Sequence, residues 1–219
     1  MGFWREELSR ARMDRDTLAD RIDHTVLGPT TTPADVDRVL TEATAAGMGC
    51  CIPPCHLDRA DGHQGRLVTV VGFPHGQHTP EVKATEAREA ADNGADELDV
   101  VVNVGSALGN DPGVITDELS TVLEAVDVPV KAILETPLLE PDQLRAACDA
   151  AVAADVAMLK TATGFATGGA TPESVSTLAE YAPVKASGGI RTREDALAML
   201  EAGAERIGTS SGPALLEAD

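Results

Sequence analysis

Eight short apolar runs alternate with helix-starting signals along nearly the whole chain, and this alternation restricts the fold more than any other feature. The runs are Ile22 to Leu27, Met48 to Ile52, Leu67 to Phe73, Leu98 to Asn103, Val128 to Glu135, Val156 to Thr161, Val184 to Ser187 and Arg206 to Gly208. Thr32-Pro33, Thr79-Pro80 and Thr171-Pro172 each read as an N-cap followed by proline at the first helical position, with an acid close behind. After Pro33, Val36, Val39, Leu40 and Ala43 fall at helical spacing before Gly47, and Ala196, Met199 and Leu200 do the same after Thr192 and before Gly203. The helix ends recur as well, in Ala46-Gly47, Asn93-Gly94-Ala95-Asp96, Ala153-Ala154-Asp155 and Ala202-Gly203-Ala204-Glu205, with the period of two βα units. Strands that alternate with helices need a parallel sheet, and eight units in 219 residues predict a (β/α)8 TIM barrel. An open doubly wound sheet is the alternative, because strand runs alone do not reveal closure. Phe3, Trp4, Leu8, Met13 and Leu18 predict an N-terminal capping helix within residues 1–20 that plugs one barrel end, so that 1–219 form a single domain.

Charge narrows the function classes. With 36 acidic against 17 basic residues the formal charge is −19, and such a surface repels phosphodiester backbones and anionic lipid, so neither nucleic acid nor membrane is an expected partner. No apolar run approaches the ~18–20 residues that span a bilayer. Met1 to Arg15 interleaves Arg and Glu where a signal peptide needs an apolar stretch, which leads us to expect a cytoplasmic protein. Of the 17 basic residues only Lys83, Lys131, Lys160 and Lys185 are lysines. Acid excess with scarce lysine suits a surface that stays hydrated in concentrated salt, and a halophilic source is expected. Cys50, Cys51, Cys55 and Cys148 are expected as reduced thiols. Cys50, Cys51 and Cys55 with His56, His63, His75 and His78 form a metal site only on paper, since no Cys-x-x-Cys pair or His-Glu-x-x-His helix organises them; neither metal nor cofactor is expected.

Polar residues gather where the strands end, which in such barrels is the face that carries chemistry. Alternation groups Asp99 with Val101 and Asn103, Lys131 with Ile133 and Glu135, Met158 with Lys160, and Lys185 with Ser187. Lysine inside an apolar strand is costly unless it is paired or neutral. Two such lysines on consecutive strands depress each other's pKa, and a neutral amine is the nucleophile of Schiff-base chemistry on a carbonyl. The other reading is a structural network in which Lys160 and Lys185 balance Asp99 and Glu135. Glycine-rich loops at Thr163 to Gly169, Ser187 to Arg191 and Gly208 to Gly212 follow the last three strands, where backbone N–H groups hold phosphate, and Arg191 is the candidate cation.

Six ordered blocks, from Ile22-Asp23-His24-Thr25 through Gly72-Phe73-Pro74, Gly94 to Val101, Lys131 to Thr136, Leu159 to Phe165 and Lys185 to Arg191, resemble the deoxyribose-phosphate aldolases. The resemblance implies that Lys160 forms the Schiff base, that Lys185 tunes it, and that Asp99 with an ordered water relays protons. It also implies that Gly164, Gly188, Gly189, Gly208 and Ser210 hold the phosphate and that Asp23 and Thr25 touch substrate. Cys51, Lys131 and Thr163 complete the expected substrate contacts, and Arg191 and Ser211 the phosphate site. Departures from the family are His75 after Gly-Phe-Pro, Pro53 after Ile52, and Phe165 where some longer members place a phosphate-contacting lysine. The chain ends at Asp219 without the tyrosine tail of some members, so proton transfer is expected to rest on Asp99 and water. The expected activity is reversible cleavage of 2-deoxy-D-ribose 5-phosphate to acetaldehyde and D-glyceraldehyde 3-phosphate. Another Schiff-base phosphosugar lyase or isomerase, or a non-catalytic phosphosugar-binding barrel, is the alternative. The expected partners are a phosphorylated sugar and aldehydes, with a homodimer or higher homo-oligomer allowed.

Overall fold

A computed structural model describes residues 13–217 of the chain. Its eight strands are β1 Ile22–Thr25, β2 Gly49–Cys51, β3 Leu67–Val71, β4 Glu97–Val101, β5 Val130–Ile133, β6 Met158–Lys160, β7 Val184–Ser187 and β8 Arg206–Thr209. All pair in parallel in sequence order, and β1 closes on β8 through Ile22–Ile207 and Asp23–Gly208. The sheet is a barrel with no free edge, which removes the open-sheet alternative. Around it lie α1 Arg15–Asp20, α2 Pro33–Ala46, α3 Pro80–Asp92, α4 Val104–Leu108, α5 Gly113–Leu123, α6 Pro141–Ala153, α7 Pro172–Ala179, α8 Arg193–Glu201 and α9 Gly212–Leu216. A 3-10 segment, Pro54–Ala60, replaces a full helix between β2 and β3. Among the described residues no helix is long and apolar enough to cross a membrane.

The helices start where cap chemistry dictates. Thr32, Thr79, Thr171 and Thr192 each accept a hydrogen bond from the backbone N–H three residues on, which satisfies a donor that the first helical turn leaves unpaired. Behind the caps, Val36, Val39, Leu40 and Ala43 of α2 and Ala84, Ala87 and Ala90 of α3 are buried against the barrel. So many alanines on the inward faces let the helices close tightly on the sheet. The strands are shorter than the apolar runs. Asn103, expected beside Asp99 on β4, has already left the barrel: its N–H donates to Glu118 Oε1 at 2.6 Å, and its side chain caps α4.

Only α1 of the expected capping helix falls among the described residues; Phe3, Trp4 and Leu8 lie outside them. Leu18 and Ala19 are buried, α1 packs on α9, and Arg193 donates to the carbonyls of both Met13 and Leu215. Arg66 reaches the carbonyl of Asp20 at its other end. So α1 is fixed against α9 at one end and held close to the start of β1 at the other.

A buried ion pair braces β4, the strand that carries Asp99. Lys83 on α3, fully buried, donates to the Val101 carbonyl at 2.8 Å and to Glu118 on α5 at 2.6 Å. Burial pushes the Glu118 carboxyl up against the pull of Lys83. The pair fixes the C-terminal end of β4, two residues beyond Asp99.

Candidate active site

The barrel interior holds charge where an ordinary core would be apolar. Asp99 on β4 sits between three amines: Lys131 at 2.9 Å on one oxygen, and Lys160 and Lys185 at 2.8 Å each on the other. Register sets this up, because Asp99 is level with Lys131, and Lys160 with Lys185. Lys185 also meets Asp23 on β1 at 2.5 Å, and Asp23 takes a two-pronged contact from Arg66 at 3.0 and 2.7 Å. Gly49 makes room for the latter, since a Cβ there would lie 2.7 Å from Asp23 Oδ1. Gly208 does the same for Lys185, whose Cε would be 3.1 Å from an added Cβ.

These contacts decide the charge states. Burial opposes ionisation of Asp99, yet Lys131, Lys160 and Lys185 together outweigh it and hold the carboxyl well below the usual range. Asp23 is likewise lowered, with Lys185 and Arg66 overcoming burial. Burial also disfavours the Lys185 ammonium, but Asp23 and then Asp99 overcome it and raise its pKa. The mutual depression expected of the two lysines therefore does not reach Lys185, which two carboxylates keep as a cation. Glu135, expected as a counter-ion, turns away: its backbone is left-handed at φ 55°, and its carboxylate accepts from the N–H and the hydroxyl of Thr163.

Above this floor opens a cavity of about 350 Å³, lined by Thr25, Lys160, Thr163, Gly164, Gly188, Gly189, Arg191, Gly208 and Ser210. Asp99, Lys185, Lys131, Asp23 and Cys51 are buried beneath it, so Lys160 is the only amine of the cluster in its wall. Ser211 lies outside the lining and donates its N–H to Thr209. Arg38, from α2, joins the lining; on the sequence it looks like an ordinary solvent-facing charge of a helix. Cys51 packs with Val68 and Val70, and burial pushes its thiol up to about 11.

The glycine loops are stitched together by hydrogen bonds of their own. Thr161 donates to the Ser187 carbonyl, Ser187 to Thr161 and Ala162, Ala170 to the Gly188 carbonyl, and Thr209 to that of Ile190. Gly188 and Gly189 turn the chain at φ 96° and 80°, a region side chains other than glycine rarely enter. Phe165 at the rim is half exposed and meets Phe73 edge-on, with centroids 5.3 Å apart. It divides the cavity from a neighbouring one of about 280 Å³ that His75 helps to line. Pro53 leads into the 3-10 segment.

Among the described residues no three His, Cys, Asp or Glu side chains gather as metal ligands. Cys50 meets His63 at 3.5 Å, its thiol pushed up to about 12 by burial, while Cys55 is exposed.

The family described as DeoC/LacD family aldolase matches residues 17–218. A deoxyribose-phosphate aldolase of Natronomonas pharaonis is 55% identical over 94% of this chain and 96% of its own length. One from Thermus thermophilus is 46% identical over 91% and 95%. A solved structure, described as a unique tetrameric structure of deoxyribose phosphate aldolase from Aeropyrum pernix, superposes with a TM-score of 0.88 at 36% identity, covering 97% of this chain and 94% of that one.

Proposed function

The chain belongs to the DeoC/LacD aldolase family, and from that premise we propose that it cleaves 2-deoxy-D-ribose 5-phosphate reversibly to acetaldehyde and D-glyceraldehyde 3-phosphate, with Lys160 as the Schiff-base nucleophile. The observation that carries the assignment is that Lys160 alone brings an amine from the buried charge cluster into the wall of the cavity. Its free amine attacks the C1 aldehyde of the open-chain sugar, and loss of water leaves an iminium. Removal of the C3 hydroxyl proton then breaks the C2–C3 bond: the electron pair flows into the iminium to give an enamine, and glyceraldehyde 3-phosphate departs. Protonation of the enamine carbon and hydrolysis release acetaldehyde and restore the amine.

Asp99 supports the cationic stages. A carboxylate held ionised 2.8 Å from Lys160 stabilises the iminium that replaces the ammonium, and it orients the water that moves protons. Lys185, fixed as a cation on the same oxygen, favours loss of the proton from its neighbour. At the other end Gly164, Gly188, Gly189 and Ser210, with Arg191, receive the phosphate and hold C3 in line for cleavage, an orientation effect that contributes several kcal/mol. Thr25 and Thr163 face the sugar between them. A homo-oligomer working in the cytoplasm belongs to the same reading.

Incubation with acetaldehyde and borohydride, then digestion and mass spectrometry, tests the assignment. The expected product is a reduced two-carbon adduct on Lys160, and an active enzyme whose Lys160 stays unmodified would overturn it.

A further inference from the structure

The contacts beneath Lys160 form a closed circuit. Lys131 touches Asp99, Asp99 touches Lys185, and Lys185 touches Asp23. Asp23 Oδ1 then faces Arg206 Nη1 at 3.6 Å, Arg206 Nη2 meets Glu97 Oε1 at 3.0 Å, and Glu97 Oε2 returns to Lys131 at 2.5 Å. Three cations alternate with three anions around the barrel axis, so each charge has an opposite neighbour on both sides. Lys160 hangs from this ring at Asp99, and Arg66 at Asp23.

Glu97 and Arg206 differ from the rest of the ring. Each is the first residue of its strand, at the end of the barrel opposite the cavity, and each is 17–18% exposed where the other four are essentially sealed. Neither can touch a substrate that occupies the cavity. Arg206 Nη1 is buried with no hydrogen-bond partner, so what holds it is the charge of Asp23.

We propose that Glu97 and Arg206 are positioning residues for the reaction, closing the ring from the far end of the barrel so that Asp99 and Lys185 stand fixed beneath Lys160. Without them the ring becomes an open chain. Lys131 then loses its second anion and pulls harder on Asp99, and Asp23 loses one of its three cations and shifts with Lys185. Small displacements of that kind under a reacting atom are costly, because rate depends steeply on alignment. The proposal rests on the aldolase reading of the site and adds to it two residues that meet no substrate.

The test compares wild type with Glu97→Gln, Arg206→Met, the Glu97→Gln/Arg206→Met double variant and Arg206→Lys. The readouts are kcat, KM and the pH–rate profile with 2-deoxy-D-ribose 5-phosphate, with melting curves for each protein. In all four variants kcat is expected to fall about tenfold, with KM changed by less than about twofold, as a loss of alignment without a loss of substrate contact predicts. The acid limb separates the charge effect from the geometric one. It moves down by about half a pH unit in Glu97→Gln, where a lost anion eases deprotonation within the network, and up by a similar amount in Arg206→Met. It stays in place in the double variant and in Arg206→Lys, which keeps the charge but cannot span both acids. Arg206→Lys is also the variant least apt to unfold, and it carries the test if the others do.

Wild-type kcat and profile in folded Glu97→Gln and Arg206→Met would overturn the proposal. So would losses that follow melting temperature alone, with no opposed shift of the acid limb. A wild type that neither cleaves the substrate nor forms the Lys160 adduct would instead overturn the aldolase reading on which the ring's role depends.

Discussion

Around Lys160 the cavity is floored by buried charged side chains, whereas its phosphate end is made of backbone turned by Gly164, Gly188 and Gly189, with Arg191 and Arg38 adding charge from exposed positions. The first region works by what its side chains are, the second by what its residues lack. Removing a side chain should therefore ruin one end, and adding a single Cβ the other. The two ends should also fail in different kinetic parameters, the amine end in kcat and the loop end in KM.

The largest effect is expected from Lys160→Met, which keeps the stem and removes the nucleophile. Turnover should fall about 10⁴-fold or more, and the borohydride adduct should vanish from the peptide map. Retained turnover would place the chemistry elsewhere. Next comes Lys185→Leu, with a kcat loss of about 10²- to 10³-fold at neutral pH and partial recovery in alkaline buffer, read from the pH–rate profile. The same change leaves Asp23 and Asp99 one cation short, so the melting curve should report a destabilisation of about 3 kcal/mol or more.

Gly189→Ala probes the loop end. No atom lies within 4 Å of the added Cβ, so the only cost is the positive φ, about 1–2 kcal/mol. A rise of about tenfold in KM for the phosphorylated sugar is expected, with kcat on unphosphorylated 2-deoxyribose unchanged. Equal losses on both substrates would erase the distinction between the two ends.

Acid stability follows from the same carboxylates. Asp23 and Asp99 are held below their ordinary values, so the stability they contribute is complete above about pH 4 and is lost as pH falls further. Lys185 is raised, so its contribution is complete below about pH 10 and is lost only as pH rises beyond its folded value. These three groups add no slope to the melting temperature between those limits, and a decline already under way from pH 8 to 6 would show that other groups govern it there.

The smallest effect concerns salt. A chain of charge −19 must admit an anionic substrate, and relatives about 55% identical come from halophilic archaea. Screening from about 0.1 to 3 M potassium chloride should raise the melting temperature and lower KM by a few fold, while the buried amine end keeps kcat nearly constant. Tightest binding and highest stability at low salt would break that expectation.

Legibility in the sequence follows the same contrast. Lys131, Lys160 and Lys185 stand out because a charge inside an apolar strand is costly and so conspicuous. The glycine loops are visible because repeated glycines after strands have few other uses. Glu97 and Arg206 are not visible in this way. They sit at strand starts, beside Asp96 and Glu205, where charges are ordinary, and only closure of the barrel brings β4 and β8 across from one another. Arg38 hides among the polar residues of a helix, and Glu135 is misread because strand alternation carries its side chain inward while the backbone has already turned left-handed. Pairing across the barrel is a three-dimensional fact that no local pattern encodes.

All four lysines are buried: Lys83 against Glu118, Lys131 and Lys185 in the floor, and Lys160 at 3% exposure in the cavity wall. Every cation on the described surface is therefore an arginine or a histidine, and neither forms a stable imine with an aldehyde. A protein that handles acetaldehyde would otherwise collect adducts wherever an exposed amine offered itself. Among the described side chains Lys160 is thus the one amine presented to aldehydes, at the place where the adduct is productive.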